Sequence, residues 1–193
     1  MTGYDLMDQI PYYLNRESGE GLLKELENYS SATPMYSTKE HEGILQGDCW
    51  TGLRIFNFDA GTQQEIRGIV LSNSCDVDPN NKRDIASKIS FSPIIPYSAI
   101  EKMIKGACSA ESAESKLRAI KEQKNTQFMF LPAQGVLSED YVIWFSDINS
   151  IRADAFLRNT NKEKIVTLSM VGFYMFVFKL SIHLCRFHEK VDR

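Results

Sequence analysis

Residues 47–77 read GDCWTGLRIFNFDAGTQQEIRGIVLSNSCDV, and residues 88–95 read KISFSPII. Three apolar runs stand out. Cys49 to Phe58 is long and mixed, Ile69-Val70-Leu71 is short, and Ile89 to Ile95 is the third. Each is bounded by Gly, Asn, Asp or Pro, and runs of this kind read as β-strands. The first connection, Asp59-Ala60-Gly61-Thr62, is a turn in which Gly supplies an unusual φ. The second, Asp76 to Lys88, is long, polar and charged, and contains Asp78-Pro79-Asn80-Asn81. A loop this long in a compact domain is usually functional or mobile. The stretch predicts a small antiparallel barrel whose loops carry the chemistry.

Outward from this core the chain turns helical. Tyr97 to Lys105 predicts a short amphipathic helix ended by Gly106. Ser109 to Lys124 has high helix propensity and a thin apolar stripe, Leu117 and Ile120, which predicts an exposed excursion from the barrel. Strand patterning returns at residues 128–131, before the turn Pro132-Ala133-Gln134-Gly135, and at residues 141–145. Residues 147–151 either pair again or turn away. Residues 153–158 predict one or two helical turns, and Ser169 caps a long final helix ending near Lys190. Val171, Phe173, Tyr174, Phe176, Val177, Leu180 and Leu184 surround that helix, so it is buried on more than one side or forms a homodimer or partner contact. On the N-terminal side, Pro11 opens a helix, LLKELENY makes a second, and Ser30 to Lys39 reads as a linker. The chain is therefore read as one domain. Residues 1–45 are a helical extension, 46–152 the barrel with a helical insertion at about 97–125, and 153–193 C-terminal helices.

Composition narrows the function classes. Of 193 residues, 43% are hydrophobic and 24% charged, which excludes a disordered chain. The net charge of −3 gives no global basic footprint, so any nucleic-acid role needs a local patch. Cys49, Cys75, Cys108 and Cys185 show neither a CxxC pair nor metal-ligand spacing. The opening MTGYDLMDQIPYYLN has no apolar signal region. These features predict a cytoplasmic protein with four reduced thiols. Residues 168–187, LSMVGFYMFVFKLSIHLCRF, are long enough to cross a membrane but carry Lys179, His183 and Arg186, so no membrane role is expected. His183 and Cys185 are two residues apart and diverge on a helix, so no metal or other cofactor is expected there. Lys179, His183, Arg186 and Lys190 instead read as one basic edge, suited to the helix C-terminus and to a partner.

The order Gly47-Asp48-Cys49-Trp50, Gln64-Glu65, Arg67 and Val70-Leu71-Ser72-Asn73, then a polar loop and Ile89-Ser90-Phe91-Ser92-Pro93, resembles the core of the MazF/PemK toxin family. The resemblance covers about a quarter of the chain, against usual domain length. It implies a small antiparallel SH3-like β-barrel, which together with the N-terminal helices, helical insertion and long C-terminal helix read above makes an α+β fold. It also implies a bacterial toxin–antitoxin or phage-defence setting and metal-independent cleavage of single-stranded RNA. The family's Arg-Pro pair is Arg67-Gly68 here, and the extended helical C-terminus is not found in simple toxins.

Carried onto this chain, the resemblance implies a minimal catalytic set of Arg67 with Ser90 or Ser92. An Arg stabilises a pentavalent phosphate, and a hydroxyl or carboxylate assists proton transfer. Arg54, Lys82, Arg83 and Lys88 would hold phosphates, and Trp50, Phe56 or Phe58 would stack bases. Ser72-Asn73-Ser74-Cys75-Asp76 is the densest polar cluster behind a strand. Cys75 or Asp76 either binds substrate there, or Asp76 caps a turn while Cys75 fills a small pocket. The rival reading is a catalytically silent module that binds a protein or nucleic-acid partner in such a system.

Overall fold

The structure, a computed structural model, describes residues 33–81 and 84–184. Contacts divide the chain into a unit of residues 1–33 and a second of 34–193. The architecture below is that of the second unit, and the helices expected in residues 1–32 lie outside the described residues.

The deciding stretch forms three antiparallel strands. β1 (Asp48–Asn57) and β2 (Thr62–Val70) make a hairpin in which Arg54 faces Glu65 and Phe56 faces Gln63. A bulge between Trp50 and Leu53 shifts the register, with Gly52 at φ +72°, a conformation glycine adopts without strain. β3 (Lys88–Pro96) pairs with β2 through Gly68–Pro93, Ile69–Ser92 and Val70–Phe91. Its other edge is shared. β5 (Tyr141–Trp144) takes residues 94–96, and β6 (Asn149–Arg152) takes residues 88–91. Residues 147–151 therefore turn first and then pair.

β4 (Phe128–Leu131) pairs with β5, and β7 (Lys164–Thr167) pairs with β1. The result is one antiparallel sheet of seven strands in the order β4-β5-β3-β2-β1-β7, with β6 on β3. The sheet is open. β7 carries only the short apolar pair Ile165-Val166 and was not expected. It is recruited by Asp48, which is fully buried and accepts hydrogen bonds from Lys164 Nζ (2.9 Å), Thr167 Oγ1 (2.7 Å) and the Leu45 amide (2.9 Å).

Among the described residues, five helices complete this unit: α1 (Ser74–Val77), α2 (Tyr97–Ala107), α3 (Ala110–Lys121), α4 (Ala153–Leu157) and α5 (Met170–Leu184). One face of the sheet carries Leu53, Val70, Ile89 and Phe91, packed with Phe156 of α4 and the half-buried Trp50. Where β5 and β4 continue that face, Val142 and Phe130 pack with Ile100 of α2 and Ile120 of α3. The expectation of an exposed excursion for α3 is thus corrected. Ala113, Leu117 and Ile120 are all buried, because even a thin stripe suffices when a strand pair lies beneath it.

The opposite face is covered at one end by α5, whose Phe176 ring lies 6.1 Å from that of Phe145. Ser169 caps α5 as expected, its Oγ accepting from the Gly172 amide at 3.1 Å. The described helix ends at Leu184, so the expected end near Lys190 lies outside the described residues, as do Arg186 and Lys190 of the expected basic edge. Lys179 does not belong to such an edge. It is 6% exposed, and its Nζ donates to the carbonyls of Gln123 (2.6 Å) and Asn125 (2.8 Å) behind α3. Residues 34–37 are not a linker either. Met35 is fully buried, and Tyr36 bridges Leu168 in antiparallel fashion. Among the described residues, no helix is long and apolar enough to cross a membrane.

Candidate active site

Arg67 lies near the end of β2 and is exposed. One position on, Gly68 faces Pro93, so Arg67 is level with Ile94 of β3, itself opposite Ile143 of β5. The guanidinium reaches across β3 and donates through a terminal nitrogen to the Tyr141 hydroxyl. Its central carbon lies 5.8 Å from the Tyr141 ring centroid. The Tyr141 hydroxyl in turn donates to Glu139 Oε1 at 3.0 Å. Tyr141 is only 4% exposed, whereas Arg67 and Glu139 are open to solvent. Burial of the phenol and its bond to Glu139 push its pKa above the ordinary value, with the Arg67 charge opposing them. The phenol therefore stays protonated at neutral pH. A cation, a neutral donor and a carboxylate thus stand in one row where β3 passes from β2 to β5.

The same sheet face continues from Arg67 toward the hairpin tip. Alternation places Glu65 and Gln63 of β2, and Arg54 and Phe56 of β1, on it, and all four are exposed. Arg54 Nε donates to Glu65 Oε1 at 3.1 Å, so this expected phosphate contact is also an exposed ion pair. Phe56 and Phe58 are exposed, with ring centroids 5.0 Å apart at 74°. Trp50, expected to stack bases, points the other way. Its ring meets Phe156 edge-on at 5.6 Å, beneath the Lys164 ammonium, and its buried Nε1 has no hydrogen-bond partner. The bulge at Gly52 causes the separation, because it turns residue 50 to the face opposite residues 54 and 56.

The two candidate serines do not join Arg67. Ser92 is fully buried, out of reach of an RNA phosphate, and its Oγ has no hydrogen-bond partner among the described residues. Ser90 is half-buried, and lies four positions along β3 from the level of Arg67, about 13 Å. Its amide donates to Ser72 Oγ at 2.8 Å.

Ser72, Asn73, Cys75, Asp76 and Lys88 gather with Ser90 at the far end of β2. Asn73 caps α1, its Oδ1 accepting from the Cys75 amide at 2.9 Å. Ser74 Oγ accepts from the Gln46 amide at 2.9 Å, and Asn81 Nδ2 donates to the Cys75 carbonyl at 2.6 Å. These groups organise the loop itself. Cys75 and Asp76 are exposed, as is Lys88, which is paired with Arg152 in the β3–β6 ladder. Lys82 and Arg83 lie outside the described residues, as does Cys185.

Tyr141 and Glu139 were not among the residues singled out from the sequence. Tyr141 looked like one more apolar position of a strand. An acidic residue two positions before it gave only a weak signal, since only the β2–β3–β5 order brings the pair to Arg67. Compared with family models and with curated proteins, the chain finds no match.

Proposed function

We propose that the protein is a MazF/PemK-like endoribonuclease of a bacterial conflict system that cleaves single-stranded RNA without a metal, with Arg67, Tyr141 and Glu139 as its working groups. The observation that carries this reading is the chain of contacts Arg67–Tyr141–Glu139 on an accessible sheet face. The barrel reading draws support from β3, which pairs with β2 on one edge and with both β5 and β6 on the other, as in a strongly curled sheet. Ser92 is buried and Ser90 lies about 13 Å along β3 from the level of Arg67, so the reading rests on a carboxylate and a phenol instead of the expected serines.

Metal-free RNA cleavage needs a base for the 2′-hydroxyl, a cation for the charged phosphorane and a proton for the leaving oxygen. Glu139 takes the 2′-hydroxyl proton as the 2′-oxygen bonds to phosphorus. Arg67 binds the non-bridging oxygens. The P–O5′ bond breaks, and the leaving oxygen takes the Tyr141 proton. The proton on Glu139 then returns to the phenolate across their 3.0 Å hydrogen bond. The products are a 2′,3′-cyclic phosphate and a 5′-hydroxyl.

The test is incubation of the purified protein with unstructured single-stranded RNA in EDTA, with end-group analysis of the fragments. Cyclic phosphate ends that disappear in Glu139→Gln and Tyr141→Phe support the reading. A folded wild-type protein that leaves RNA intact favours the silent interaction module, whereas variants that cleave as well as wild type assign the three residues to a purely structural tie.

A further inference from the structure

We propose that Phe56 and Phe58, at the tip of the β1–β2 hairpin, form a nucleobase-stacking subsite that holds the same single strand whose phosphate lies at Arg67. The inference rests on the ribonuclease reading and adds to it where the strand runs.

Phe58 is 87% exposed and Phe56 52%, and a hydrophobic residue this open gains nothing for folding. The rings touch each other rather than the core, 5.0 Å apart and at 74°. They are not part of an oily patch. Asn57, Asp59, Thr62, Gln63 and Gln64 around them are polar and exposed. Asn57 uses only its carbonyl oxygen in the turn, accepting from the Asp59 and Ala60 amides at 3.0 Å each. Its NH₂ remains to donate to a base edge. Isolated aromatic rings among amides suit a flat, polar-edged ligand better than an apolar protein surface.

The register ties this tip to the reaction centre. Phe56 faces Gln63, and Gln63 stands four residues before Arg67 on the same face, about 13 Å away along the strand. Arg54 lies between them with its guanidinium exposed, so a phosphate backbone crossing from Arg67 to the tip passes a second cation. The Arg54–Glu65 pair is exposed, and such pairs contribute little to stability, so exchanging the carboxylate for a phosphate costs little.

The test uses a short unstructured 2′-O-methyl RNA, which lacks the nucleophile and stays intact, carrying 2-aminopurine at successive positions. Wild-type protein should bind it and quench the fluorophore most strongly at one position. Phe56→Ala and Phe58→Ala should weaken binding about ten- to a hundredfold and abolish that quenching, from the usual 1–3 kcal/mol for one base stack. Phe58→Trp should retain both, and melting temperatures should stay near wild type because the rings are exposed. If wild type binds and the alanine variants bind equally well, the subsite is overturned while the RNA reading stands. The same holds if the variants change only the oligomeric state in sedimentation, which makes the rings a protein contact. If wild type binds no single strand, the ribonuclease reading falls and the subsite with it.

Discussion

Lys179 Nζ lies 2.6 Å from the Gln123 carbonyl oxygen and ties α5 to the turn behind α3. Among the described residues no carboxylate contacts the ammonium, so burial lowers its pKa from 10.5 to about 8. The unfolded chain therefore binds more protons than the native one between about pH 8 and pH 10.5, and stability rises with pH across that window. Lys179→Met removes the titrating group. The difference in unfolding free energy between wild type and this variant should grow in favour of wild type from pH 8 to pH 10, measured by urea denaturation. A difference independent of pH would show that the amine is not buried as described.

Asp48→Ala should cost about 3–5 kcal/mol, because it leaves the Lys164 ammonium partly buried with its carboxylate gone. It also frees the Leu45 amide and the Thr167 hydroxyl. Lys164→Met should cost a similar amount, and the double variant less than the two together. Denaturant midpoints of the three variants measure this, and full additivity would contradict a coupled pair.

Gly68 has no room for a side chain. A Cβ there would stand 2.8 Å from Leu53 Cδ1 and 2.9 Å from the Ser92 carbonyl oxygen. Gly68→Ala should lower stability by about 1–3 kcal/mol through overpacking between β2 and β3. Thermal unfolding of the alanine variant gives the answer.

If the proposed ribonuclease reading holds, Arg67→Ala should reduce RNA cleavage by on the order of a hundredfold or more, the scale of losing one preorganised electrostatic contact. Arg67→Lys should recover only part of it, since a point charge cannot reproduce the planar fork. The Arg67 side chain is exposed, so both melting temperatures should stay near that of wild type. A large drop in melting temperature with cleavage in proportion to folded protein would make Arg67 a structural strut.

Thiol titration separates two environments. Cys49 is fully buried, and burial with the neighbouring Asp48 charge pushes its pKa far up, so it should react with a thiol reagent only on unfolding. Cys75, on the exposed turn, should react at once in native protein. Denatured, non-reduced protein should count four thiols; two or fewer would mean a disulfide and contradict the expected reduced state.

Much of the fold was legible in the chain because it rests on local chemistry. The apolar runs at residues 49–58, 69–71 and 89–95 became β1, β2 and β3, since strand patterning and the Asp59–Thr62 turn depend on neighbours alone. Ser169 as a helix cap and residues 128–131 and 141–145 as strands followed for the same reason. Only the tertiary structure decided the rest. β7 offers only the short apolar pair Ile165-Val166 as a signal, and it pairs with β1 because Lys164 and Thr167 meet the buried Asp48. Lys179 looked like a surface cation, yet it is buried because carbonyls more than fifty residues away satisfy it. Ser90 and Ser92 share the sheet face of Arg67, but Ser92 is buried and Ser90 lies four positions along β3, while one bulge sent Trp50 to the opposite face. Tyr141 and Glu139 came to Arg67 from more than seventy residues downstream, because β3 pairs with β2 on one edge and β5 on the other. Sequence carries which residues prefer a strand or a cap. Which side chains meet depends on register and strand order, and these are set by burial summed over the whole sheet.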